Sequence, residues 1–229
     1  MMKSEQIKIR VDDEVVSAAV SVPDTLNANS QTGLIFAHGA GNDMNHPLLV
    51  AVSEGLAEHG FITLRFNFLY KEKGKKSPDS QGKLIQTWLC AYDFLQTGDT
   101  YKTEKTIAVG KSMGGRVASQ MVAQGLMAVD GLIFLGYPLH APGKKDRLRD
   151  AHLYDIKNPV LFFAGTRDSL CDLSRLNDVL EKLECQWDLE IVEGGDHSFK
   201  LLKSDPRSQM DVQNQVLSKC LDWLNQISA

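Results

Sequence analysis

Apolar residues change their rhythm along this chain. The opening segments, "EQIKIRV" and "EVVSAAVSV", alternate apolar and polar positions around Asp12–Asp13, which predicts an antiparallel hairpin. The alternation is then lost. "GLIFAHG", "FITLRFNF", "KTIAVG", "GLIFLGYP", "PVLFFAGT" and "WDLEIVEG" are mostly continuous apolar runs, as expected of parallel strands covered on both faces. Helix-period segments lie between them. Leu48, Val52 and Leu56 share one face, with Gly60 as the stop, and Leu84, Trp88, Tyr92 and Leu95 share another. A last helix is predicted to start at Asp205–Pro206, with Val212, Val216, Cys220, Trp223, Leu224 and Ile227 on one stripe. The alternation of β and α elements predicts an α/β fold with a mainly parallel sheet, and function is then sought in the loops after the carboxyl ends of strands.

One such loop holds "TIAVGKSMGGRVASQMVA". A Walker phosphate loop would need glycine where Lys105 stands, and a Rossmann turn in "HGAGNDM" would need glycine where Met44 stands. What fits is G-x-S-x-G, Gly110 to Gly114, closing a buried strand and opening a helix. A nucleophile on so sharp a turn sits in a strained backbone. Its neighbours two residues away must be small because strand and helix nearly touch.

A serine nucleophile needs a base, an acid that orients the base, and donors for the oxyanion. On an elbow of this kind they follow in the order Ser, Asp or Glu, His. Asp168 follows the strand in "LFFAGTRDSL", and His197 lies in "EIVEGGDHSFK"; both leave the sheet at the same edge as Ser112. Asp172 is a rival acid, and Asp196 adjoins His197. His59 reads as a helix cap, His152 as part of a charged loop, and His140 comes too early for the base. In "FAHGAGND", Ala40 is the expected oxyanion donor beside Met113, with His38 as a buried prop of that loop. His46 and Asn67 are pocket candidates, with helix-start and loop-capping roles as their alternatives.

Together these stretches resemble the α/β-hydrolases, and in particular the small dienelactone-hydrolase-like group. "FAHGAGNDMNHP", "RFNF", "GKSMGGRVAS", "YPLHAPGKKDRLRDAHL" and "VLFFAGTRD" are similar to a group of bacterial hydrolases and to animal testis-expressed hydrolase-like proteins. The resemblance covers nearly the whole chain, and "GKSMGG" and "YPLHAPG" are its most specific parts. It implies an eight-stranded sheet with the second strand antiparallel and helices on both faces. It also implies the triad Ser112, Asp168 and His197, with Ala40 and Met113 at the oxyanion. Dienelactone hydrolase itself uses a cysteine where this chain has Ser112, so its lactone substrate is not carried over.

Composition narrows the picture. A chain of 229 residues, 43% hydrophobic and 24% charged, is expected to form one domain spanning 1–229. A net charge of −4 gives no support for a nucleic-acid partner, and no apolar run is long enough to span a membrane. The N-terminus shows no signal-like apolar stretch, and the four scattered cysteines read as reduced thiols, which points to the cytoplasm. Too few residues separate "GLIFLGYP" from "PVLFFAGT" for a lid domain. Two basic loops, "KEKGKK" at 71–76 and "GKKDRLR" at 143–149, are expected near the active edge and would favour an anionic substrate.

The expected activity is that of a serine hydrolase on small esters or thioesters, with no metal and no organic cofactor. The alternative is a non-catalytic scaffold of the same fold that binds proteins. A peptidase fits less well, since nothing supplies a substrate-channelling domain. Oligomeric state is not specified by the sequence.

Overall fold

The computed structural model describes residues 1–97, 101 and 103–228. Strands β1 (Met2–Val11) and β2 (Glu14–Pro23) form the antiparallel hairpin, with Asp12 in a left-handed conformation at φ 52° in its turn. They are followed by β3 (Thr32–Ala37), β4 (Ile62–Phe66), β5 (Lys105–Lys111), β6 (Gly131–Leu135), β7 (Val160–Gly165) and β8 (Trp187–Val192). The eight strands form one sheet in the order β1-β2-β4-β3-β5-β6-β7-β8. β2 runs antiparallel to both of its neighbours, and every other pairing is parallel.

Side-chain alternation divides the core in two. Leu34 and Phe36 of β3, Ile107 and Val109 of β5, Ile133 and Leu135 of β6, and Leu161 and Phe163 of β7 face one layer. That layer contains helix α1 (Pro47–Glu58) and the long C-terminal helix. The intervening residues, among them Ile35, Ala108, Phe134 and Phe162, face the opposite layer. There they meet helices α3 (Gln81–Thr97) and α4 (Met113–Ala123). Two-sided cover explains the unbroken apolar runs of the central strands. β8 lies at the sheet edge and is correspondingly less buried.

Two short helices join those visible in the sequence pattern: α2 (Leu69–Glu72) and α5 (Leu173–Leu180). The C-terminal helix, α6 (Gln209–Ser228), starts later than Asp205–Pro206. Asp205 is instead engaged by the backbone and guanidinium of Arg207. The start is set by a reciprocal pair, in which the Asp211 N–H donates to Ser208 Oγ (3.2 Å) and the Ser208 N–H donates to Asp211 Oδ2 (2.7 Å). The β6–β7 connection holds one 3-10 turn (Ala151–Asp155) and no lid.

Candidate active site

The loop between β5 and α4 presents Ser112 at φ 51° and ψ −114°, a left-handed backbone for a residue with a side chain. The glycines on either side are sterically required. A Cβ on Gly110 would lie 2.1 Å from the Gly115 nitrogen, and one on Gly114 would lie 2.5 Å from the Ala37 carbonyl oxygen. The elbow therefore exists only because strand, helix and the neighbouring β3 meet without side chains between them.

Ser112 faces His197, which lies in the loop between β8 and α6. Ser112 Oγ and His197 Nε2 are 2.8 Å apart, and His197 Nδ1 is 2.8 Å from Asp168 Oδ2. The Asp168 side chain is fully enclosed, while that of His197 keeps 19% of its surface exposed. Asp168 Oδ1 also accepts from the Leu170 N–H at 2.7 Å, which fixes the carboxylate plane. With Nδ1 donating to the carboxylate, Nε2 is left as the acceptor for the serine proton.

The rivals are occupied elsewhere. Asp172 caps α5, accepting from the Ser174 and Arg175 N–H groups, and pairs with Lys145. Asp196 accepts from the Ser198 and Lys200 N–H groups and so closes the turn that carries His197. His140 accepts from the Asp172 N–H, and His59 lies at the end of α1 against the Gly55 carbonyl. His152, expected in a charged loop, is drawn into a polar cluster, 2.8 Å from Ser119 Oγ and 3.1 Å from the Tyr137 hydroxyl.

The loop after β3 fixes the direction of the Ala40 N–H, the expected oxyanion donor. Phe68 N–H donates to His38 Nε2 (3.1 Å), so His38 Nδ1 carries the proton and donates to the Gly39 carbonyl (2.8 Å). The Asn42 N–H and the Tyr70 hydroxyl donate to the same carbonyl. Burial holds the His38 imidazole neutral by lowering its pKa from 6.5 to about 4. The Gly39–Ala40 peptide is trans, so drawing its carbonyl toward His38 turns the Ala40 N–H the opposite way. Among the described residues, neither the Ala40 nor the Met113 N–H has a protein hydrogen-bond acceptor.

Ala40, Ser112 and Met113 line a cavity of about 420 Å³, within the range of small-molecule sites. Leu84, Pro138 and Leu170 supply apolar wall, and Asp79, Arg116 and Arg149 supply charge. Asn67 does not line it. Its Oδ1 accepts from the Met44 N–H and its Nδ2 donates to Glu72, so it caps a loop. His46 caps α1 through the Leu48 N–H and lines a separate depression with Asn42, Ser198 and Lys200.

The two basic loops contribute less than their composition implied. Lys73 pairs with Glu14 and Lys145 with Asp172; only Arg149 reaches the cavity wall. Arg116 was not anticipated, although its spacing of four residues from Ser112 is the sequence signal for a shared helix face.

A family model for the alpha/beta hydrolase domain matches residues 30–225, and the chain belongs to that family. Among solved structures, it is similar to a dienelactone hydrolase from Anabaena variabilis (20% identity, TM-score 0.73, covering 95% of this chain and 96% of that one). It is also similar to an a/b serine hydrolase without lid from Xanthomonas campestris (21%, 0.75, 96% and 95%). A third is Est1E from Butyrivibrio proteoclasticus, solved with ferulic acid bound (17%, 0.74, 96% and 99%). At these identities the likeness carries the fold, here the lid-less α/β-hydrolase architecture. Among the described residues no helix is long and apolar enough to cross a membrane.

Proposed function

We propose that the protein is a serine hydrolase that cleaves small esters or thioesters through an acyl-enzyme on Ser112. The observation that carries this reading is the unbroken relay from Ser112 through His197 to Asp168, with both contacts at 2.8 Å. His197 Nε2 takes the serine proton as Oγ bonds to the substrate carbonyl carbon. The carbonyl π electrons move onto oxygen, where the Ala40 and Met113 N–H groups, the latter at a helix N-terminus, stabilise the charge. Collapse expels the alcohol or thiol, which receives the proton from His197. Water then repeats the sequence with the same base and releases the acid. Asp168 fixes the imidazole tautomer and offsets its positive form. Each step uses side chains, backbone N–H groups and water alone.

Arg116 and Arg149 support the finer reading that the substrate carries a negative charge. Two guanidiniums line the cavity against the single carboxylate of Asp79, and among the described residues neither is ion-paired. The four cysteines are free, which supports a reducing, cytoplasmic setting. The continuous sheet and the two core layers it divides support one domain over 1–229.

Fluorophosphonate labelling, with hydrolysis of p-nitrophenyl esters of graded chain length and of acyl-CoA, tests the proposal. Labelling and turnover are expected in the wild type and lost in Ser112→Ala. A folded wild-type protein that neither labels nor turns over would leave the scaffold reading in place.

A further inference from the structure

The residue before the nucleophile has no part in the reaction as described, and its placement is costly. Lys111 ends β5 with only 1% of its surface exposed. An ammonium is expensive to bury, and a hydrocarbon of the same length would fill the space without that cost. Burial lowers its pKa from 10.5 to about 8, even though Asp168 and Asp196 pull the other way. Lys200, in the same loop as Asp196, adds to the repulsion, and His46 at the start of α1 also feels the Lys111 charge.

What this cation holds is the backbone of the base. Lys111 Nζ donates to the His197 carbonyl at 3.2 Å. The same carbonyl is approached from the end of β6 by Gly136, at φ 77°, where a Cβ would lie 3.0 Å from it. Apart from the Ser112–His197 contact itself, a Gln209 Nε2 donation to the Phe199 carbonyl and the Ser208–Asp211 cap of α6, the other hydrogen bonds of this loop run within it or to the loop after β7. Asp196 accepts from Ser198 and Lys200, and the Arg167 N–H donates to Gly195. The Lys111 contact is different in kind because it starts from the residue bonded to Ser112 itself.

Building on the hydrolytic reading above, we infer that Lys111 is a positioning residue: its buried ammonium grips the His197 carbonyl and so keeps the base in register with the nucleophile. Serine and imidazole then move as one unit. The imidazole stays between Ser112 and Asp168 while its proton passes from serine to leaving group. Misplacing catalytic groups by about 1 Å costs on the order of 100-fold in rate, so one such tether matters.

The test compares Lys111→Met and Lys111→Arg with the wild type on p-nitrophenyl acetate. In Lys111→Met, kcat is expected to fall about 10- to 100-fold with KM within about twofold, because the loss lies in catalytic alignment and not in binding. Its Tm is expected to hold or rise, since a buried charge has been removed. Lys111→Arg, which keeps a charged donor, is expected to recover part of kcat. A folded Met variant with wild-type kcat overturns the assignment, whatever its Tm.

Should the Met variant fail to fold, the wild-type profile decides. kcat is expected to decline as alkaline pH strips the ammonium of its charge, since a neutral amine grips a carbonyl less tightly than an ammonium, and a profile level up to alkaline unfolding overturns the assignment. Fluorophosphonate labelling of wild-type Ser112 separates two kinds of failure. Without labelling, the hydrolytic reading and this one fall together. With labelling but undiminished kcat in Lys111→Met, only the role of Lys111 falls.

Discussion

The meeting of Ser112, Asp168 and His197, the candidate triad, was legible at single residues because each carries a spacing or order that a nucleophile elbow would require. The elbow needs glycine two positions either side, and the acid and base must follow on later strand exits. Lys111 was not legible, because a lysine inside a glycine-rich turn reads as solvated. A signal was nevertheless present. Position 111 has the same strand parity as Ile107 and Val109, so extending β5 by one residue buries its side chain in the same layer. His38 was read as a buried prop, and its burial has a consequence for stability. The unfolded chain takes up a proton at this residue near pH 6.5, while the folded protein resists until about 4. Between those values only the unfolded state is protonated, so stability falls as pH drops through that window. The loss is about 3 kcal/mol at most for this residue. His46 shifts in the same direction. Urea midpoints measured at pH 7 and at pH 5 are expected to show the decline, and His38→Gln is expected to reduce it, leaving the part that His46 contributes.

At the scale of elements, the central strands were legible from their apolar runs, and α1 and α3 from their period. The start of α6 was misplaced because Asp205–Pro206 carries the usual opening signal, whereas Ser208 and Asp211 make the actual cap. Helix α5 was missed because eight residues give the 3.6-residue period too little length to stand out. Its cap is what removes Asp172 from contention as the catalytic acid. Asp172→Ala is expected to lower stability by about 1 kcal/mol through the lost cap, and to leave kcat unchanged. Thermal melts and esterase assays of this variant together check both halves. A large loss of kcat would return Asp172 to candidacy.

For the whole molecule, the number of strands and the antiparallel second strand followed from the family resemblance, while the order of the strands and the charge of the cavity did not follow from the sequence. A net charge of −4 gives the protein no general attraction for anions. Attraction therefore has to be local, from Arg116 and Arg149 at the cavity wall. kcat/KM for a p-nitrophenyl hemisuccinate is expected to exceed that for the matching butyrate by about tenfold at low salt, and the advantage is expected to shrink as KCl is added. Removing both charges in Arg116→Gln/Arg149→Gln is expected to abolish it. An equal preference in the wild type would remove the anionic substrate from the proposal while leaving the triad untouched.

The relay also bears on how the chain acquires its competence. Ser112 and His197 are 85 positions apart, and they leave β5 and β8, separated in the sheet by β6 and β7. No local stretch can assemble them; the intervening parallel crossovers must dock first, and distant pairings of that kind form slowly. Reactivity toward an active-site reagent therefore returns only with the last of those strands, which makes it a reporter of completed folding for this polypeptide.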